Sequence, residues 1–275
     1  MQRRPQLSLL ALLAALLLPA IAPLPAAAES AASARPWLDK LMALFDKGPF
    51  TLRYAADLDL GQMGQPIRGT LEGEVTYGDR QHLRQVMKMK LSGLPGGDGQ
   101  TPAEMNILSV SDGELTWTEI AMPGGGDPQV MKISRRDAEE PAADQAAVFG
   151  AGRTSMDPVA QLEAMSRTMD FELLETTGGR VSLLATASAE DLAQLGQLGA
   201  LGVDSFLLVL DESTGFPVEM RAGEPRSGQP AVLDVRFDEV KVVDPGDLPQ
   251  GVFEYSPPEG VAVVDLGAMV GAGSN

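Results

Sequence analysis

The sequence has no cysteine and one histidine, His82. Without cysteine there are no disulfides, no thiol nucleophile and no thiol to carry a lipid. With one histidine besides, the thiolate and imidazole sets that hold zinc or blue copper are excluded. Basic residues are scarce as well: 21 Lys and Arg stand against 38 Asp and Glu, a net charge of −17. Such a surface repels nucleic acid and anionic headgroups, so neither a nucleic-acid partner nor a basic membrane patch is expected. Long apolar runs are also missing. Leu7 to Leu18 falls short of the roughly 20 residues that a spanning helix needs. Preceded by Arg3 and Arg4 and followed by Ala26-Ala27-Ala28, it reads as a secretory signal cleaved after Ala28. The expected layout is a signal peptide over 1–28, one domain over 29–266 and a flexible tail over 267–275. A soluble periplasmic protein without stable membrane insertion follows.

Catalytic patterns are scarce too. His82 lies between Arg80 and Arg84 with no Gly-x-Ser-x-Gly partner and reads as solvated. The acidic pairs Asp57/Asp59, Glu72/Glu74 and Glu139/Glu140 lack the glycine-centred order of a calcium loop. "PGGGD" leads from one strand to another rather than into a helix, so it cradles no phosphate. Arg135-Arg136 is too brief to bind nucleic acid. The expectation is a protein without cofactor or metal that is not an enzyme.

What is present is alternation. In "FTLRYAADLDL" Phe50, Leu52, Tyr54, Ala56, Leu58 and Leu60 share one face, and Thr51, Arg53, Asp57 and Asp59 the other. "IRGTLEGEVTY" and "RQHLRQVMKMKL" repeat the pattern, as half-buried antiparallel strands do. "MNILSV", "LTWTEIAM" and "QVMKIS" read as further strands, as do segments near 170–176, 180–186, 203–211, 216–222 and 231–243. Three stretches show helical spacing instead. They are 35–47 (Leu38, Leu41, Met42, Phe45), one from Asp157-Pro158 (Val159, Leu162, Met165, Met169) and one from Ser188 (Leu192, Leu195, Leu198). With no regular βαβ alternation, the predicted class is mainly β with α: a strongly curved antiparallel sheet with helices on its concave side. Residues 94–103 and 135–155 read as loops. Thirteen methionines, many on the apolar faces, suit a surface that adapts to varied apolar shapes as well as a packed core.

The ending "FEYSPPEGV" (253–261) resembles that of the LolA-type outer-membrane lipoprotein carriers, in which an aromatic strand leads into Pro-Pro-x-Gly-Val. "SVSDGELTW" (109–117), with Gln129-Val130, resembles the same family's Ser-Asp-Gly-x-x-x-Trp hairpin and the strand after it. The resemblance implies an incomplete antiparallel barrel closed by a helical lid over a cavity for acyl chains. The cavity would be lined by Phe50, Leu52, Tyr54, Leu71, Val75, Met87, Met89, Trp117, Met131, Ile133, Leu233, Val235 and Phe237. Leu38, Met42, Phe45, Leu162, Met165 and Met169 would form the lid. The family's lid-locking arginine, usually followed by proline, has its nearest candidate here in Arg80, where the sequence is "GDRQHLR". The implied cargo is an acylated lipoprotein or lipid, taken from an inner-membrane donor complex and given to an outer-membrane acceptor. The tail prolines should stop strand pairing and let Val261 and Val263 pack back on the barrel. A non-enzymatic envelope sensor on the same fold, and a secreted structural β-protein with a filled core, are the competing expectations.

Overall fold

Alternation of apolar and polar residues is converted into one sheet. The computed structural model describes residues 31–61, 66–93, 102–121, 126–139, 166, 169–188, 203–223 and 231–271. A helix, α1 (Ala31–Met42), precedes six strands: β1 (Phe50–Asp59), β2 (Arg68–Tyr77), β3 (His82–Ser92), β4 (Ala103–Asp112), β5 (Leu115–Ala121) and β6 (Gln129–Ser134). A short helix α2 (Arg135–Glu139) follows. The second run holds β7 (Met169–Thr177), β8 (Arg180–Ala187), β9 (Ser205–Asp211), β10 (Pro217–Ala222) and β11 (Leu233–Val242). A 3-10 turn (Pro245–Asp247), a three-residue β12 (Val263–Asp265) and a helix α3 (Leu266–Gly271) end the described chain.

Each run is an antiparallel meander, and β1 joins them by pairing with both β2 and β11. The result is a 12-stranded sheet in the order β12-β6-β5-β4-β3-β2-β1-β11-β10-β9-β8-β7. Its outer strands, β7 and β12, do not pair, so the sheet is curved and unclosed. The two halves differ in regularity. From β1 through β6 the registers run without a break. From β1 toward β7, the registers slip at Arg53/Tyr54, Pro217/Glu219 and Leu173/Glu175. Bulges of this kind bend and coil a sheet.

The curled half holds α1 against its concave side. Ala34, Leu38, Leu41 and Leu44 are buried in one cluster with Tyr54, Met89, Phe171, Leu183, Phe206 and Val235. The helix begins and ends earlier than the 35–47 read from the sequence. Its last turn tightens instead of continuing, through Leu44 N–H to Leu41 C=O (3.2 Å) and Phe45 N–H to Met42 C=O (3.1 Å). Pro36 consequently sits inside the helix rather than in its first turn. The buried stripe includes Leu44, while Met42 and Phe45 are half-buried.

One expectation for the tail is corrected. Pairing does not stop at the prolines: Val263, Val264 and Asp265 pair in parallel with Val130, Met131 and Lys132. Asp265 then caps α3 by accepting from the Ala268 N–H at 3.1 Å. To reach β6 from β11, the chain crosses the convex side of the intervening strands. The Phe253 ring lies against His82 (5.6 Å between centroids) and Tyr255 against Trp117 (5.5 Å). Tyr255 donates to Glu119 at 2.6 Å. Val110 and Val130 face the same way and are fully buried. The tail therefore covers the convex face of β4–β6 around Val110, Trp117 and Val130, while Glu104 and Asn106 on β4 stay exposed.

Elsewhere the convex face is wet and charged. Arg53 bridges Glu74 (3.2 Å) and Glu239 (3.4 Å), Lys90 meets Glu104 (3.3 Å) and Arg236 meets Asp57 (3.3 Å). Exposed pairs of this kind contribute little stability each, so their role is to keep that face in water.

Candidate functional site

Strand register decides which side chains share the concave face. One row runs Leu52–Val75–Gln85–Ser109–Thr118–Met131, and a second runs Tyr54–Gly73–Met87–Ile107–Ile120–Gln129. A third runs Ala56–Leu71–Met89–Met105. Across β1 the face continues through Val235, Met220, Leu208 and Leu183. Among the described strand residues that have a register partner, no Asp, Glu, Lys or Arg points to this side; Asp238 sits exposed in the β11 bulge.

Twelve of the thirteen residues expected to line a cavity share this face: Phe50, Leu52, Tyr54, Leu71, Val75, Met87, Met89, Met131, Ile133, Leu233, Val235 and Phe237. Trp117 does not. It pairs with Val110 and Lys132 while Thr116, Thr118 and Ile120 point inward, and its ring packs under Tyr255 outside. The apolar alternation of Leu115 and Trp117 is real, but it serves the surface that the tail covers. Met105, Ile107 and Ile120 are inward residues that the sequence reading missed, although "MNILSV" carried the period of the first two; Ile120 shares its side of β5 with Thr116 and Thr118, which hide it.

The helical side is partly as expected. Leu38 is buried against the sheet. Phe45 makes edge contacts with Phe50 (5.5 Å) and Tyr77 (5.3 Å) at one end of the trough. Leu162 and Met165 lie outside the described residues, as do the rest of the helix expected from 157 up to 168 except Ser166, and all but the first residue of the one expected from 188. Met169 is a correction: it opens β7, pairs with Ala187 and is buried within the sheet. Met169-Asp170-Phe171 alternates with period two, and that local pattern overrides the helical spacing assigned to Met169. Arg80 is exposed in the turn between β2 and β3.

The side chain that ties α1 down is Lys40. Its Nζ donates to the backbone carbonyls of Glu212 (2.6 Å) and Ser213 (3.0 Å) in the β9–β10 turn. Its stem lies over Gly215, where φ is +81° and an added Cβ would meet the Lys40 chain at 2.8 Å. Asp211 shapes that turn by accepting from the Ser213 hydroxyl (2.6 Å), the Thr214 hydroxyl (2.7 Å) and the Thr214 N–H (2.8 Å). Those bonds, led by the Ser213 hydroxyl, hold its carboxyl down at about 2. Nothing in the pattern of α1 marks Lys40, because its partners are backbone atoms 172 and 173 residues away.

Coverage of the trough is uneven. Met89 and Leu91 are fully buried, at 1% and 0% exposure, whereas Leu52, Val75, Gln85, Thr118 and Met131 are half-buried. Polar groups on the face are neutral and mutually bonded: Gln85 Nε2 donates to Tyr54 Oη at 2.8 Å, and the Ser109 and Thr118 hydroxyls lie 3.4 Å apart. Burial pushes the Tyr54 phenol up to about 12, against the weaker opposite effect of the Gln85 bond, so it stays protonated. His82, outside, turns Nδ1 to Asp79 at 2.8 Å. No grouping of three His, Asp or Glu residues suited to a metal occurs among the described residues. Among the described residues the concave face is thus made of apolar side chains with a few neutral amides and hydroxyls.

No family model matches the chain, and no curated protein matches it. Two solved structures resemble it slightly. A DUF1329 family protein from Desulfovibrio piger is 7% identical, with a TM-score of 0.35 over 83% of this chain and 98% of that one. A beta-barrel-like protein of domain of unknown function DUF1849 from Brucella abortus is 10% identical, with a TM-score of 0.23 over 72% and 98%. Likenesses this slight carry no argument. The curved, unclosed sheet is established by its own strand pairing, and membership of the LolA-type family is not shown.

Proposed function

We propose that the protein is a non-enzymatic periplasmic carrier. It holds acyl chains of a lipoprotein or lipid on the concave face and ferries them from an inner-membrane donor toward an outer-membrane acceptor. The observation that carries this reading is the absence of charge from the described inward strand residues, on a face half-exposed at Leu52, Val75 and Met131. An uncharged apolar trough gains about 0.8 kcal/mol for each methylene it takes from water, on the order of 12 kcal/mol for a 16-carbon chain. That gain must be reversible for a carrier, so the face has to be no greasier than a membrane and its cover has to move. Three buried residues of α1, Leu44 just past its end and one lysine latch suit a cover that lifts. No described helix is long and apolar enough to cross a membrane.

The test is transfer of a fluorescent acyl lipid between donor and acceptor vesicles. The protein should accelerate transfer in proportion to its concentration, and Met131→Asp should abolish most of that acceleration while circular dichroism stays native. Transfer that the protein leaves at the spontaneous rate would reject carriage.

A further inference from the structure

Two rows of the trough differ in a way that acyl-chain binding alone does not require. The row Met87–Ile107–Ile120 is wholly apolar, yet the next row places Gln85, Ser109 and Thr118 on three neighbouring strands. Tyr54 reaches this group through its bond to Gln85, and Thr116 stands one row further on the same side of β5. Side chains at the centre of a sheet's concave face are ordinarily apolar, since a buried polar group costs free energy unless bonded. Here the bonding is incomplete in geometry. At 3.4 Å the Ser109–Thr118 contact is long for a hydroxyl pair, which prefers about 2.7–2.8 Å. Each hydroxyl carries one donor and two acceptor lone pairs, so among the described residues this contact uses only part of the capacity of the pair. Gln85 and Thr118 are half-buried, which makes the group reachable.

We infer that Gln85, Ser109 and Thr118 form a subsite for the uncharged polar end of an acyl ligand, an ester or hydroxyl such as a diacylglycerol presents. This rests on the acyl-chain reading above and narrows it. The group can donate to an ester carbonyl and accept from a hydroxyl. It cannot neutralise a carboxylate or phosphate, because no described strand residue facing inward is cationic, and a buried ion without a partner is strongly disfavoured. The three rows beyond the subsite, ending at Leu91 and Ala103, extend about 20 Å along the strands at roughly 3.3 Å per residue. An extended acyl chain fits that length once the cover over Met89 and Leu91 lifts.

The experiment measures displacement of diphenylhexatriene, a purely apolar dye, from the full chain and from the Ser109→Ala/Thr118→Val double variant. Competitors are dioleoylglycerol, oleate and dioleoyl phosphatidic acid. The dye should bind both proteins alike, dioleoylglycerol should compete best on the native protein, and the double variant should weaken that competition about tenfold, as loss of two hydrogen bonds implies. If the dye binds but oleate or phosphatidic acid competes as well as dioleoylglycerol, the neutral subsite is wrong. It is equally wrong if the double variant leaves dioleoylglycerol unchanged. If the dye binds neither protein, the acyl-chain reading itself fails, and the subsite with it.

Discussion

Tyr54 and Gly73 show how a single contact sets the trough. They face each other across β1 and β2, and a Cβ on Gly73 would fall inside the Tyr54 ring. The ring therefore lies flat over the glycine, which brings the phenol oxygen to Gln85. Gly73→Ala should cost about 1–3 kcal/mol, as overpacking in a formed core does. In a Tyr54→Leu background the same substitution should be nearly neutral. Urea unfolding of the four proteins measures the coupling, and an equal cost in both backgrounds would refute the contact. Of this pair the sequence discloses half: Tyr54 is legible as inward by alternation, while the reason for Gly73 lies in a partner 19 residues away.

At the scale of elements, α1 and the β9–β10 turn act as a latch. Lys40→Met keeps the aliphatic stem beside Trp37 but removes both bonds to the turn. The expected result is a loss of about 1 kcal/mol in stability and dye uptake several times faster. Unchanged uptake would show that α1 is not the moving part. The turn also gives a pH dependence. Asp211 titrates near 2 in the folded chain, below its ordinary 3.8. A depressed carboxyl stabilises the fold above its ordinary value, and that contribution is lost as pH falls through the folded value. Asp211→Asn should therefore lower the melting temperature at pH 7, and the gap from the native protein should close as pH falls toward about 2. A gap independent of pH would contradict the assignment.

The same elements show what could be read in advance. Strands with one wet face, such as β1 and β2, were legible because Arg53, Asp57, Glu72 and Glu74 mark the outside. On β5 the outward Leu115 and Trp117 are as apolar as an inward row, because the tail covers them, so Trp117 was assigned to the trough when it serves the convex side. In β9, "FLLVL" is apolar throughout: Phe206 and Leu210 are buried inward and Val209 is buried outward. Period two gives no face there. Of the tail only its return to the barrel was expected; its course could not be read, because its partners Glu119, Trp117 and Val130 lie more than a hundred residues back.

For the whole molecule, charge is sorted by face: the convex side carries the ion pairs and the concave side, over the described strands, carries none. That sorting leaves the ion pairs in water and the inner surface of the described strands apolar, as the proposed cargo requires. The same sorting occurs in a β-protein whose core is simply full, and only the proposed carrier requires the inner surface to exchange its occupant. Native mass spectrometry of the protein purified without detergent, before and after solvent extraction, tests that claim most directly. The account predicts a bound mass that leaves with the solvent as an acylated molecule and that the extracted protein takes up again. A single unliganded mass, with no later uptake of diphenylhexatriene, would mean that the trough is filled by the protein itself and would contradict the account.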